Sequence, residues 1–213
     1  MFLIKFMTMR KLLLVSLFAG TLVLYSCQPA VKKESGPTGA AEDGTYTVLT
    51  DSSTIFWKGS MLNIYDHYGY IRIKSGSFTV SNNSVVSGNF EVDMKSISPT
   101  DENYSEKTPK QYLVAHLSSA DFFAVDSFPV ATFVVEKMNA DTLYGRFTVR
   151  GRTGEEAITG IRFTQQGNAL RAEGNLTFNR QKYGVSYSTK MKDRVIKDEI
   201  ELNIKLLATK NPK

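Results

Sequence analysis

The stretch Glu199–Ala208, EIELNIKLLA, decides the fold class. Ile200, Leu202, Ile204, Leu206 and Ala208 alternate with Glu199, Glu201, Asn203 and Lys205, so one face is apolar and the other polar. Successive strand side chains point to opposite faces, and a period of two sustained over this length reads as a half-buried strand. Toward the N-terminus the period recurs at Tyr46 and Val48, Ile55 and Trp57, Ile71 and Ile73, and Phe90, Val92 and Met94. It continues at Phe133 and Val135, at Leu143, Gly145, Phe147 and Val149, and at Leu176, Phe178 and Arg180. Turn-forming residues separate these runs: Ser75-Gly76, Ser81–Ser84, Asn139-Ala140-Asp141, Gly151 with Gly154, and Gln166-Gly167-Asn168. The pattern predicts an all-β fold of roughly eight strands joined largely by hairpins.

One segment departs from the period. Thr108-Pro109 has the cap-then-proline order of a helix start, and Leu113, His116 and Leu117 follow at helical spacing. A short helical insertion around 109–123 is expected, followed by the aromatic connection Phe122, Phe123 and Phe128. Two readings stay open for it: a lid over a barrel mouth, or a plain seal on one end of the core.

The N-terminal 26 residues read as a lipoprotein signal peptide. Lys5, Arg10 and Lys11 precede an apolar run, Leu12–Tyr25, too short to span a bilayer, and the run stops at Ser26 before Cys27, the sole cysteine. Leu24 and Ser26 fit a lipobox, so Cys27 is the expected lipidation site and membrane anchor. With no second cysteine, no intrachain disulfide can form. Residues 27–44 carry almost no large apolar side chains and read as a flexible tether, which places the folded domain at 45–213. Gln28 follows the cysteine where an inner-membrane retention signal would have Asp, so the expected location is the cell envelope, outer membrane favoured, facing periplasm or cell surface.

Removing the leader takes three cations and no anion from a chain with 26 Lys plus Arg and 21 Asp plus Glu, leaving 23 against 21. That balance lacks the clustered positive charge of a nucleic-acid binder. No Gly-x-Ser-x-Gly elbow is present, and His67 and His116 are isolated without the spacing of a metal site, so neither catalytic residues nor metal ligands are expected.

His116–Phe123, HLSSADFF, followed by Phe128–Phe133, FPVATF, resembles the signature of the YceI-like family of polyisoprenoid-binding proteins. Other pieces fall in the family's order: His67 and Gly69, Gly88-Asn89-Phe90 leading to Asp93-Met94, Phe147–Thr153, and Phe178-Asn179-Arg180 through Tyr183-Gly184-Val185. The likeness spans Thr45 to Ala208, with departures at Val149-Arg150 and at Ala124, which replaces a frequent acid. The resemblance implies an eight-stranded antiparallel up-and-down lipocalin-like barrel around an elongated apolar cavity for an isoprenoid or isoprenoid quinone, held without bond-making for storage, transport or stress protection.

An eight-stranded barrel either fills its interior with side chains or holds one small ligand, and the residues alone leave both readings open. Inward parity makes Trp57, Phe90, Met94, Phe133, Val135, Phe147 and Phe178 the candidate lipid-binding positions, with Phe122 and Phe123 at the mouth. Arg180 shares that parity; pointing inward it would need a carboxylate, a carbonyl or a polar lipid head, and at a strand end it would sit in water at the rim. No cofactor is implied beyond an isoprenoid-type lipid, and the oligomeric state, a dimer among the options, stays open. The competing functions are an enzyme-like factor acting on the lipid head, and a filled barrel serving as a protein-interaction module.

Overall fold

The alternating runs form strands that wrap into a single closed sheet. The computed structural model describes residues 39–62, 64–189 and 195–212, and all of them fall in one compact unit. Its elements are β1 (Gly44–Val48), β2 (Thr54–Met61), β3 (Tyr65–Ser81), β4 (Ser84–Pro99), α1 (Lys110–Ser118), β5 (Val130–Asn139), β6 (Thr142–Val149), β7 (Arg152–Gln166), β8 (Ala169–Asn179) and β9 (Ile196–Lys210). Strands β3 to β9 pair antiparallel in sequence order. Both β1 and β2 then bridge β3 and β9.

β1 and β2 therefore share one position, broken by a single turn of 3-10 helix at Thr50–Ser52. The result is an eight-position antiparallel closed barrel with one helix, the lipocalin-like architecture expected. The partition differs from the sequence reading in more than one respect, and Gly154, expected in a turn, lies inside β7. β7 was absent from the alternating runs because its buried residues are Ile158, Ile161 and Phe163, and the step of three breaks the parity. Gly160, at φ +66, takes the left-handed conformation at that break, where the register against β8 also shifts.

Ser75-Gly76 is a further correction. It lies inside β3 rather than in a turn, at a register shift against β4. A Cβ on Gly76 would meet Phe90 and Val48 side-chain atoms at 2.8 Å, so the glycine makes room for core packing rather than reversing the chain.

The two ends of the barrel differ. At one end lie the tight hairpins β3–β4, β5–β6 and β7–β8, with Asn82, Asn83, Ala140 and Gly167 at positive φ. There the chain also enters at β1 and leaves at β9, where Asn211 N donates to Thr45 O. The opposite end carries the longer connections, including residues 100–129 with α1. The helix begins one residue later than the Thr108 cap predicts, with Pro109 at the N-cap position.

The expected tether is shortened at its C-terminal end. Ala41 is partly buried against the core and its N donates to Asn83 Oδ1. Tyr46 Oη donates to Glu42 O, Glu42 pairs with Lys210 at 3.0 Å, and Asp43 accepts from Asn82 N. Residues 27–38, Cys27 among them, and the expected signal peptide over 1–26 lie outside the described residues.

Candidate functional site

The inward faces do not fill the barrel. A chamber of about 290 Å³ occupies the half nearest α1, and a smaller one of about 90 Å³ lies toward the hairpin end. Ile55, Val92, Phe147 and Leu202 border both, so these four side chains form the partition.

The structure sorts the expected lining residues by depth. Trp57, Met94, Phe122, Phe123, Phe178 and Arg180 border the larger chamber. Phe90 and Phe133 border the smaller, and Phe147 faces both. Val135 is the exception: it is buried but borders neither chamber. Its methyl packs over the bare Cα of Gly88, where an added Cβ would sit 3.1 Å away, so it acts as core filler.

Phe122 and Phe123 lie edge to face at 5.0 Å and are buried, together with Leu117 of α1. With Leu113 and His116 they make the helical insertion a wall of the larger chamber. Phe128 stays partly exposed and packs over Gly151. The insertion is held down from outside by Arg150, whose Nη2 donates to Ala120 O at 2.6 Å and whose Nη1 donates to Gly184 O. Arg150 Nε is buried without a partner.

Of the two placements open for Arg180, the structure shows the inward one, reached from outside the strand. β8 ends at Asn179, and Arg180 begins a short 3-10 turn that points its guanidinium inward. It is only 2% exposed, and a buried charge is stable only when paired and hydrogen-bonded. Its Nη2 meets Asp198 at 3.0 Å, Nη1 donates to Val185 O and Tyr187 O, and Nε donates to Lys197 O. Burial lowers its pKa and Asp198 partly restores it. The charge is thus met by the β8–β9 connection and the start of β9.

His116 and His67, isolated in the sequence, both border the larger chamber, and Asp101, which the sequence does not mark, stands behind His67. His116 touches Tyr187 at 4.4 Å and Phe122 at 5.3 Å between ring centres, and burial lowers its pKa against the opposing pull of Asp121. His67, on β3, borders the larger chamber with Tyr65. Asp101, buried in the loop after β4, accepts from His67 Nδ1 at 3.1 Å, from Tyr104 Oη at 2.8 Å, and from the backbone N of Tyr68 and Asn103. Asp101 is 34 residues from His67, and only the β3–β4 ladder brings them together. Among the described residues, no group of three or more His, Cys, Asp or Glu could hold a metal ion.

A closed antiparallel barrel around an apolar chamber, walled by a helical insertion, defines a lipocalin-like binding scaffold. This chain belongs to the YceI-like family: the model of the YceI-like domain matches residues 46–208. Among curated relatives, a UPF0312 protein of Staphylococcus aureus is 32% identical over 82 residues, covering 34% of this chain and 46% of its own length. A UPF0312 protein of Staphylococcus epidermidis matches to the same extent. The chain thus spans about half the length of the curated relatives it matches.

Solved structures share the fold. Burkholderia cenocepacia BcnA superposes with a TM-score of 0.58 at 17% identity, covering 76% of this chain and 99% of that one. A polyisoprenoid binding domain from Saccharophagus degradans, implicated in plant cell wall breakdown, gives 0.54 at 12% identity, covering 80% and 100%.

Proposed function

We propose that the protein binds one long apolar lipid, an isoprenoid or isoprenoid quinone, within the barrel and releases it unchanged. The observation that carries this reading is the larger chamber, bordered by aromatic and aliphatic side chains from strands all around the barrel. Its 290 Å³ lies at the small end of ligand pockets, which run from about 300 to 1,000 Å³. Each methylene buried contributes roughly 0.8 kcal/mol, so a chain of ten or more carbons can offset its loss of freedom with few polar contacts. A filled interaction module would have no use for this space, and the buried charge of the wall, Arg180, is engaged with protein partners rather than arranged for bond-making.

The same reading places the barrel in the cell envelope, tethered through a lipid on Cys27, for storage, transport or protection of its cargo. Cys27→Ala should move the protein into the soluble fraction after a carbonate wash, and equal membrane retention would overturn the anchor. The cargo itself is tested by native mass spectrometry of the purified chain with solvent extraction. An apolar adduct removed by extraction is expected; a bare mass that takes up no added isoprenoid would sink the lipid-binding reading.

A further inference from the structure

His67 stands at the start of β3, opposite Gly59 of β2, on the wall of the larger chamber at the loop-bearing end. Tyr65 meets its ring edge-on at 4.9 Å and Tyr104 lies nearly parallel to it at 5.8 Å. Its Nδ1 is 3.1 Å from Asp101 Oδ1, on a carboxylate whose side chain is wholly buried. Burial would raise the pKa of Asp101, but the hydrogen bonds from Tyr104, Asn103, His67 and Tyr68 outweigh it and hold the carboxyl below its ordinary value.

An ionised carboxylate only accepts hydrogen bonds, so Nδ1 is the nitrogen that carries the proton. With the ring's one proton on Nδ1, Nε2 is a lone-pair acceptor fixed in direction by its partner, on a residue that borders the chamber. Holding a hydrocarbon tail requires none of this, because a buried carboxylate and an oriented imidazole cost desolvation that an apolar wall avoids. Of the chamber's other polar wall groups, Arg180 is already met by Asp198 and three backbone carbonyls, and the His116 ring is packed against Tyr187 and Phe122.

We propose that His67, oriented by Asp101, is the head-group site of the chamber and accepts a hydrogen bond from a hydroxyl on the bound lipid. The ligand class is an isoprenoid alcohol or quinol, as opposed to an ether or an oxidised quinone with no donor to give. This deepens the lipid-binding reading and rests on it.

The test compares farnesol with farnesyl methyl ether, which keeps the tail and the oxygen but lacks the donor. Wild-type protein should bind farnesol about fivefold to tenfold more tightly, the range expected of one hydrogen bond. His67→Phe, which keeps the ring contacts with Tyr65 and Tyr104, should bind both ligands with equal affinity. A second measurement needs no variant: the ¹⁵N resonance of His67 Nε2 should shift on adding farnesol and stay in place with the ether.

Equal affinities for alcohol and ether in the wild type, or a preference that persists in His67→Phe, would overturn the head-group site while leaving tail binding intact. Failure of both ligands to bind would instead remove the lipid-binding reading, and this inference with it.

Discussion

Three residues show how a local conformation or charge state becomes measurable. Ala124, where the family more often has an acid, sits at φ +49 in the turn that returns the insertion to β5. Its N donates to Ser119 O, and its O accepts from Ser127 and Phe128. A left-handed conformation costs a residue with a Cβ about 1–2 kcal/mol. Ala124→Gly should therefore stabilise the barrel by about 0.5–1 kcal/mol net of the entropy glycine adds to the unfolded chain, visible as a higher thermal midpoint. His116 gives a pH signature. Burial lowers its pKa in the folded state, opposed in part by Asp121, so on acidification the unfolded chain takes up the proton first. Stability is then full above pH about 6.5 and declines as the pH falls below it. Urea unfolding between pH 7.5 and 5 should show that decline, and His116→Gln should flatten it. Asp101 acts in a separate window: its contribution is present above the ordinary carboxylate range and is lost only as the pH falls through its lowered folded value.

Among the elements, the insertion carrying α1 is the part most dependent on a few contacts. α1 is nine residues long, and isolated helices of that length are marginal in water, so its order comes from docking. Arg150, at φ +52 in the β6–β7 turn, ties Ala120 O and Gly184 O together from two different connections. Arg150→Ala leaves both carbonyls without that donor and should cost about 1–3 kcal/mol. Amide exchange in residues 110–128 should rise before that of the strands, whereas uniform acceleration would show that Arg150 supports the whole barrel rather than the insertion. The sequence made most elements legible because strand burial leaves a period of two, as in β9 and β6. It hid β7 because Gly160 lets the chain add a residue and change parity. It also hid the 3-10 turn that redirects Arg180, since Leu176 and Phe178 set a parity that ends at Asn179. The helix was legible from Thr108-Pro109 and Leu113, yet its role as a chamber wall depends on Phe122 and Phe123 folding back beneath it.

For the molecule as a whole, parity told which side chains point inward but could not tell how deep each one sits. Phe133 and Phe147 are directly opposite on β5 and β6, yet only Phe147 reaches the larger chamber. Phe133 lies against Gly145, where a Cβ would come within 2.7 Å of its ring, and borders only the 90 Å³ space. Phe147→Trp should thus leave the empty barrel close to wild-type stability while reducing lipid uptake. Phe133→Trp should overpack its surroundings and cost about 1–3 kcal/mol. Paired denaturation and uptake measurements check both, and a stability loss in Phe147→Trp as large as in Phe133→Trp would contradict a free chamber beside Phe147. His67 with Asp101 was illegible for a different reason, because their pairing depends on which strands become neighbours and not on any local pattern. The placement of the first and last strands has a practical corollary. Gly44 and Lys210 lie together at the hairpin end, away from the loop-bearing end where His67 and α1 line the chamber. A biosensor chip coupled just past Lys210 would therefore hold the barrels in a common orientation, with the loop-bearing end toward the analyte, and a fluorescent protein fused there would not obstruct it.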